Sequence, residues 1–263
     1  MAGRRRSDIF IIFAAEKNTA REKVNLVIDI GNTLAKLAAF DGDDLCDVVR
    51  TSGETLNRLP DFVKKHSFDK GIVSTVSGIT AEAGRKLEAM PFPLLYLKQN
   101  TPVPVRNDYK TPETLGTDRL AAVVGAVAQF PGRDILVVDA GTCLTFEVVD
   151  RCGCYKGGAI SPGLQMRLKA LHAFTARLPL ISVEGDTPEV GYDTETSIRS
   201  GVIEGMKCEI EGRILKIKQK YPDLLVILTG GDVFNFEDKI KKLIFADKYI
   251  VPKGLNKILL YNK

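Results

Sequence analysis

The 263-residue chain has only two histidines, His66 and His172, far apart and without neighbouring ligand or triad signatures. This argues against a histidine-built metal centre or proton relay, and surface or packing roles are expected for both. Five cysteines, Cys46, Cys143, Cys152, Cys154 and Cys208, do not make a disulfide framework in a chain this long. The Cys152/Cys154 pair has no partner pair at metal-site spacing. The thiols are expected to be reduced and structural, which favours the cytoplasm. No apolar run approaches the roughly 20 residues that cross a bilayer. Arg4, Arg5 and Arg6 precede a short apolar stretch, Ile9–Ala15, but no small-x-small cleavage site follows. Residues 1–23 are expected to be a poorly ordered extension or an extra edge segment ahead of a domain starting near Val24. Charge of one sign is also lacking: 37 basic and 33 acidic residues leave +4. That balance does not point to nucleic acid, and local positive charge would suit an anionic ligand equally well. The run Lys239–Lys242 is expected to be a solvated helix face.

The length allows one large domain or two of about 130 residues. An internal repeat favours two. Residues 26–33, Leu-Val-Ile-Asp-Ile-Gly-Asn-Thr, are matched by residues 136–143, Leu-Val-Val-Asp-Ala-Gly-Thr-Cys. Each is a β-branched apolar run ending in Asp-x-Gly plus a small polar residue. Each continues into a second apolar run, Leu34–Phe40 or Leu144–Val149. Such runs, bounded by turn residues, predict strands buried on both faces. Two copies 110 positions apart predict two halves on one plan, with a ligand in the cleft between them. The turns suit phosphate. Glycine exposes N–H groups and admits close approach. Asn32, Thr33, Thr142 and Thr145 add hydrogen-bond donors, and Lys36 adds charge. Asp29 and Asp139 could organise cations or water. A single Asp-x-Gly turn would be an ordinary hairpin; the duplication points to function.

Between the hairpins lies Tyr109–Arg119, followed by the small apolar run Leu120–Ala128. The run predicts a buried helix whose small residues allow close helix–helix approach, including across a subunit interface. Gly116-Thr-Asp-Arg119 then sits at the helix start, with Thr117 as N-cap. The helix dipole favours an ionised Asp118, which could accept the proton of an alcohol attacking a phosphate. Arg119 could clamp a carboxylate with two prongs. Composition alone leaves equally open that both merely decorate a helix end. The Gly/Pro-rich segment Tyr155–Leu164 predicts a loop before a helix from Gln165 to about Phe174. A further helix opens near Thr194, capped by Asp193 or Thr194. The segment Leu224–Asp232 predicts a buried strand ending in a Gly-Gly turn.

Together these segments resemble the type III pantothenate kinases. The resemblance runs from about Val24 to near the C-terminus. It rests on Asp29–Lys36, Tyr109–Arg119, Asp139–Thr142, Gly157–Gly163, Thr194 with the helix after it, and Thr229–Asp232, in shared order and spacing. It implies an α/β fold of two similar ribonuclease-H-like domains with mixed sheets flanked by helices, the actin/hexokinase-like architecture, at residues 24–130 and 131–263. It implies a homodimer that transfers the γ-phosphoryl group of ATP to pantothenate, the first step of coenzyme A biosynthesis, with Mg2+ and a monovalent cation, K+ or NH4+. By matching position, Asp29, Ile30, Gly31, Asn32, Thr33, Leu34, Ala35, Lys36 and Thr142 would hold ATP. Tyr109, Gly116, Thr117, Asp118, Arg119 and Thr194 would hold pantothenate, Asp118 would be the general base, and Asp139 would ligate the monovalent cation. Leu34 stands where the family often has a polar or basic residue, and Cys143 where it often has alanine. Neither nucleic acid nor membrane is an expected partner. The alternatives are a sugar or acetate kinase of the same superfamily, or a regulator on this scaffold like the Bvg accessory factors.

Overall fold

The computed structural model describes residues 24–32, 34–232 and 241–262. The expectations for residues 1–23, for Thr33 and for Lys239 fall outside the described residues. The apolar run of the first repeat becomes strand β1 (Val24–Ile30), buried along nearly its whole length, and turns back antiparallel into β2 (Leu34–Asp41). Strand β3 (Asp44–Ser52) extends the meander. Helix α1 (Leu59–Lys65) leads to β4 (Phe68–Thr75), and α2 (Ala81–Glu88) leads to β5 (Leu94–Tyr96). The sheet order is β3-β2-β1-β4-β5, with β1, β4 and β5 parallel.

A short strand β6 (Arg106–Asn107) and helix α3 (Thr117–Gln129) connect this sheet to a second one. That sheet contains β7 (Ile135–Ala140), β8 (Cys143–Val149) and β9 (Cys154–Pro162). Helices α4 (Leu164–Ala173), α5 (Thr194–Arg199) and α6 (Gly205–Lys220) follow, and then β10 (Leu225–Gly230), β11 (Ile244–Ala246) and helix α7 (Ile250–Tyr261). Its order is β11-β10-β7-β8-β9-β6. The five strands β9-β8-β7-β10-β11 repeat the order and orientation of the first sheet, and β6 is added at the β9 edge. The repeat read from two hairpins therefore extends to whole sheets.

The two sheets are joined by α3 and α7, which pack against each other. Helix α3 lies on β7 and β8, while α7 reaches back to β1 and β4. One core results, with Val27, Phe40 and Ile72 from the first sheet and Val137, Val149 and Ile227 from the second. The helices cross backbone to backbone. A Cβ on Gly125 would lie 2.2 Å from the Ile250 carbonyl oxygen, and one on Gly254 would lie 1.8 Å from that of Ala121. No side chain fits at either place. The close approach expected of the small-residue helix is thus used within the chain, with α7 as its partner. Each sheet also covers its outer face: Leu26, Ile28 and Leu37 pack under α1 and α2, and Leu136, Phe146 and Val226 pack under α4 and α6.

Candidate active site

Strand alternation places the polar residues of both hairpins. In β1, Leu26, Ile28 and Ile30 face the outer helices, so Val27 and Asp29 face the opposite sheet. In β7, Leu136, Val138 and Ala140 face outward, so Val137 and Asp139 face inward. The two Asp-x-Gly turns thereby open onto one cleft of about 320 Å3. Asp29, Gly31, Asn32, Leu34 and Lys36 line it from the first hairpin, and Asp139, Gly141, Thr142, Cys143 and Thr145 line it from the second. Ile30 and Ala35, expected among the phosphate-holding residues, turn their side chains into the core behind the first sheet and can offer only backbone. Thr33 lies outside the described residues.

The loops around the cleft depend on glycine. Gly230 has φ +104°, and a Cβ there would lie 2.1 Å from the Ala140 carbonyl oxygen. The N–H groups of Gly231 and Asp232 both donate to that oxygen, at 2.9 and 3.1 Å. The Gly-Gly turn after β10 is thus laced to the second hairpin and lines the cleft with Gly230 and Gly231. Gly163 donates to the Thr142 carbonyl at 3.2 Å and lies too close to Gly141 for any side chain.

Acidic groups converge here. Burial pushes the Asp29 carboxyl up to about 6; Lys36 opposes the rise and Asp118 adds to it. Burial likewise pushes Asp139 up to about 6, with Lys36 opposing and Asp118, Asp29 and Glu147 adding. Lys36 Nζ lies 3.9 Å from Asp29. These are mutual electrostatic effects, and they put Asp29, Asp118 and Asp139 within one field.

Asp118 enters the cleft from the first turn of α3, with its Oδ1 accepting from the Arg119 N–H at 2.8 Å. The N-cap is Gly116, which corrects the expectation for Thr117. Thr117 is the first helical residue, and its hydroxyl sits 3.1 Å from that of Ser74 on β4, tying the helix start to the first sheet. Arg119 does grip a carboxylate with two prongs, but the carboxylate is Glu147: Nε to Oε1 at 2.7 Å and Nη2 to Oε2 at 2.8 Å. Tyr155 completes the group, its hydroxyl donating to Glu147 at 2.5 Å and accepting from Arg119 at 3.0 Å. Burial works against the Arg119 cation, but hydrogen bonding and charge from Glu147 outweigh it and hold its pKa above the ordinary value. Tyr109 stacks on Tyr155, centroids 5.9 Å apart and rings 11° from parallel, with Arg119 over its own face.

Thr194 is not part of this cleft. It lines a separate apolar hollow of about 1210 Å3 with Met166, Phe174, Tyr192 and Val202. The α5 cap is Asp193, whose carboxylate accepts from the Thr196 N–H at 2.8 Å in a capping box. The histidines take the expected roles, His66 in packing and His172 at the surface. His66 lies 2.9 Å from Asp47 and against Phe62 and Phe68, and His172 lies 2.8 Å from the Leu178 carbonyl. The five cysteines are free. No helix among the described residues is long and apolar enough to cross a membrane. Sequence reasoning missed Arg50, Val76 and Val251 as cleft-lining residues and Glu147 beside the cleft. Only Glu147 carried a signal: it is a lone acid in the buried run Leu144–Val149.

A family model described as type III pantothenate kinase matches residues 25–216. A type III pantothenate kinase of Bacteroides fragilis is 56% identical over 239 residues, covering 91% of this chain and 98% of its own. One from Phocaeicola vulgatus is 51% identical, covering 91% and 99%. Among solved structures, a protein from Campylobacter jejuni described as a Baf family transcriptional activator superposes with TM-score 0.56 at 22% identity, covering 90% of this chain and 98% of its own. A Listeria monocytogenes protein described as an N-acetylmannosamine kinase gives 0.51 at 12%, covering 91% and 100%. At those identities the two structures share the fold, and the mixed sheets flanked by helices are of the actin/hexokinase-like kind.

Proposed function

The chain belongs to the type III pantothenate kinase family, and from that premise we propose that it phosphorylates pantothenate with ATP in coenzyme A biosynthesis. The observation that carries the reading is the meeting of both Asp-x-Gly hairpins and Asp118 in one cleft. The hairpin tips offer N–H groups, Asn32, Thr142 and Lys36 to the phosphates. Asp118 is the base: it takes the hydroxyl proton of pantothenate as that oxygen bonds to the γ-phosphorus and the bond to the β-phosphate oxygen breaks, releasing ADP. Tyr109, Gly116, Thr117 and Arg119 form the pantothenate side. The identity of the relatives, kinases by name at 51–56%, disfavours the regulator reading and the sugar or acetate kinase.

Asp29 and Asp139 would hold the cations. Carboxylate oxygens suit hard cations such as Mg2+ and K+. Among the described residues no group of three or more ligating side chains could hold a metal ion by itself. Mg2+ is commonly bound by one or two carboxylates together with substrate phosphates. An Mg2+ held beside Asp29 would supply positive charge to offset that of the phosphates. Asp139 would take the monovalent ion.

Residues 24–130 and 131–263 would act as two lobes around the cleft, a division supported by the repeated strand order. The chain would work as a homodimer. Its apolar hollow beside Thr194 is rimmed by Phe174, 87% exposed, and Tyr192, 71% exposed. Patches of this kind favour association. Thr194 lines that hollow and not the cleft, so its role toward pantothenate would be exercised on the partner's site. Five free cysteines support a cytoplasmic location. The test is a coupled assay with pantothenate, acetate and hexoses, each with Mg2+ and with K+, NH4+ or Na+ as the only monovalent ion. Pantothenate turnover that needs Mg2+ and is activated by K+ or NH4+ is expected. Turnover of none of the three substrates would overturn the kinase, and equal rates in Na+ would remove Asp139 as a selective cation ligand.

A further inference from the structure

Glu147 is a charged residue on the inward face of β8, and its side chain is 1% exposed. A buried carboxylate is stable only when paired and hydrogen-bonded. Glu147 meets both conditions, with Arg119 side-on to both its oxygens and the Tyr155 hydroxyl on Oε2. The neighbouring strand is shaped around it. Gly158 of β9 is its register partner, and a Cβ there would lie 2.8 Å from Glu147 Oε2 and collide with the Phe146 carbonyl. Gly157, at φ +100°, faces the Tyr109 ring instead, which a Cβ would meet at 3.5 Å. The Gly157–Gly158 pair thus leaves room for Glu147 on one side and Tyr109 on the other.

A side-on grip fixes the guanidinium plane. It engages Nε and Nη2 and turns Nη1 away from Glu147. Arg119 lines the cleft next to Asp118 and lies over the Tyr109 ring, 5.6 Å from its centroid. Tyr155, held by the same carboxylate, stacks on Tyr109. We propose that Glu147 is a positioning residue that locks Arg119, and through Tyr155 also Tyr109, in the orientation that receives the carboxylate end of the acceptor; this rests on the pantothenate kinase reading. Glu147 touches neither substrate. It acts by restricting a long cationic side chain to one pose before substrate arrives, so the orientation entropy is not lost on binding.

The test uses the full chain with Glu147→Gln, which keeps the shape and removes the charge. Turnover is measured with pantothenate and ATP, and calorimetry in the presence of ADP gives the affinities for pantothenate and for its neutral amide. KM for pantothenate is expected to rise about 10- to 100-fold, the scale on which small misplacements act. KM for ATP is expected to stay within about 3-fold, because the phosphate contacts lie on the hairpins. Affinity for pantothenate falls while affinity for the amide hardly changes, so discrimination between the two narrows. Tyr155→Phe, which removes the hydroxyl's bonds to Glu147 and Arg119 but leaves the ion pair, gives the same selective change at smaller size and decides the matter if Glu147→Gln does not fold. Equal weakening of both ligands, or an unchanged KM for pantothenate, overturns the positioning role. Failure of the unaltered protein to phosphorylate pantothenate is a different outcome and overturns the underlying kinase reading.

Discussion

Lys36 stands directly across the first hairpin from Asp29, whereas the matching place across the second hairpin, opposite Asp139, is held by Thr145. The two hairpins are equivalent in register but not in charge. One lysine therefore offsets two largely buried acids, and it lowers the pKa of both. Lys36→Met removes that offset together with a phosphate contact. A charge-assisted hydrogen bond contributes about 1.5–3 kcal/mol, so KM for ATP should rise roughly 10- to 100-fold. KM for pantothenate should change less. Steady-state kinetics with each substrate varied in turn checks this, and equal effects on both would count against Lys36 as a phosphate ligand.

Burial raises the folded-state pKa of both Asp29 and Asp139 to about 6, from an ordinary aspartate value of about 4. Between these values the unfolded chain releases the protons while the folded chain keeps them. Stability from these groups is thus fully present below about pH 4, declines as pH rises to 6, and stays lost at pH 7. Asp139→Asn removes one such penalty, on the order of 1–3 kcal/mol. Without nucleotide or activating cation, the variant should melt higher than the parent at pH 7.5, and the gap should shrink at pH 4.5. A gap independent of pH would refute the assignment.

Asp118 is the group best placed to accept the acceptor's proton, since it enters the cleft from the first turn of α3. Asp118→Asn should lower kcat roughly 100-fold or more. Nucleotide affinity should change little. After circular dichroism confirms folding, a near-normal kcat would eliminate Asp118 as the base.

Arg119 cannot be tested by truncation alone. Arg119→Ala would leave the Glu147 carboxylate buried without its cation, a change that costs about 3–5 kcal/mol. Loss of stability would then accompany any rise in KM for pantothenate. Combining Arg119→Met with Glu147→Leu removes both charges and should recover most of the lost stability, yet leave pantothenate binding weak. Chemical denaturation of the single and double variants, read beside KM, separates the two effects. A single variant as stable as the parent would show that the pair contributes nothing to the fold.

Much of the architecture follows from local pattern. Two apolar runs closed by Asp-x-Gly read as duplicated hairpins because alternation buries every second side chain and glycine permits the turn. That pattern also put Asp29, Asp139 and Lys36 at the turns, and the small-residue run before the second copy marked α3. Other features were not local. Ile30 and Ala35 sit inside the phosphate motif, yet strand alternation sends them to the core, leaving only backbone for a ligand. Thr117 had the chemistry of an N-cap, but its hydroxyl is engaged by Ser74, 43 positions away in the chain. Arg119 had the chemistry to clamp a carboxylate, but burial beside β8 matched it first to Glu147. Thr194 carries the motif and lies on another face. Spacing and residue type determine which turns, strands and helices a segment can form, because those depend on neighbours a few positions apart. Only the tertiary structure decides which buried polar group satisfies which other, because each must find its partner among residues brought together by packing.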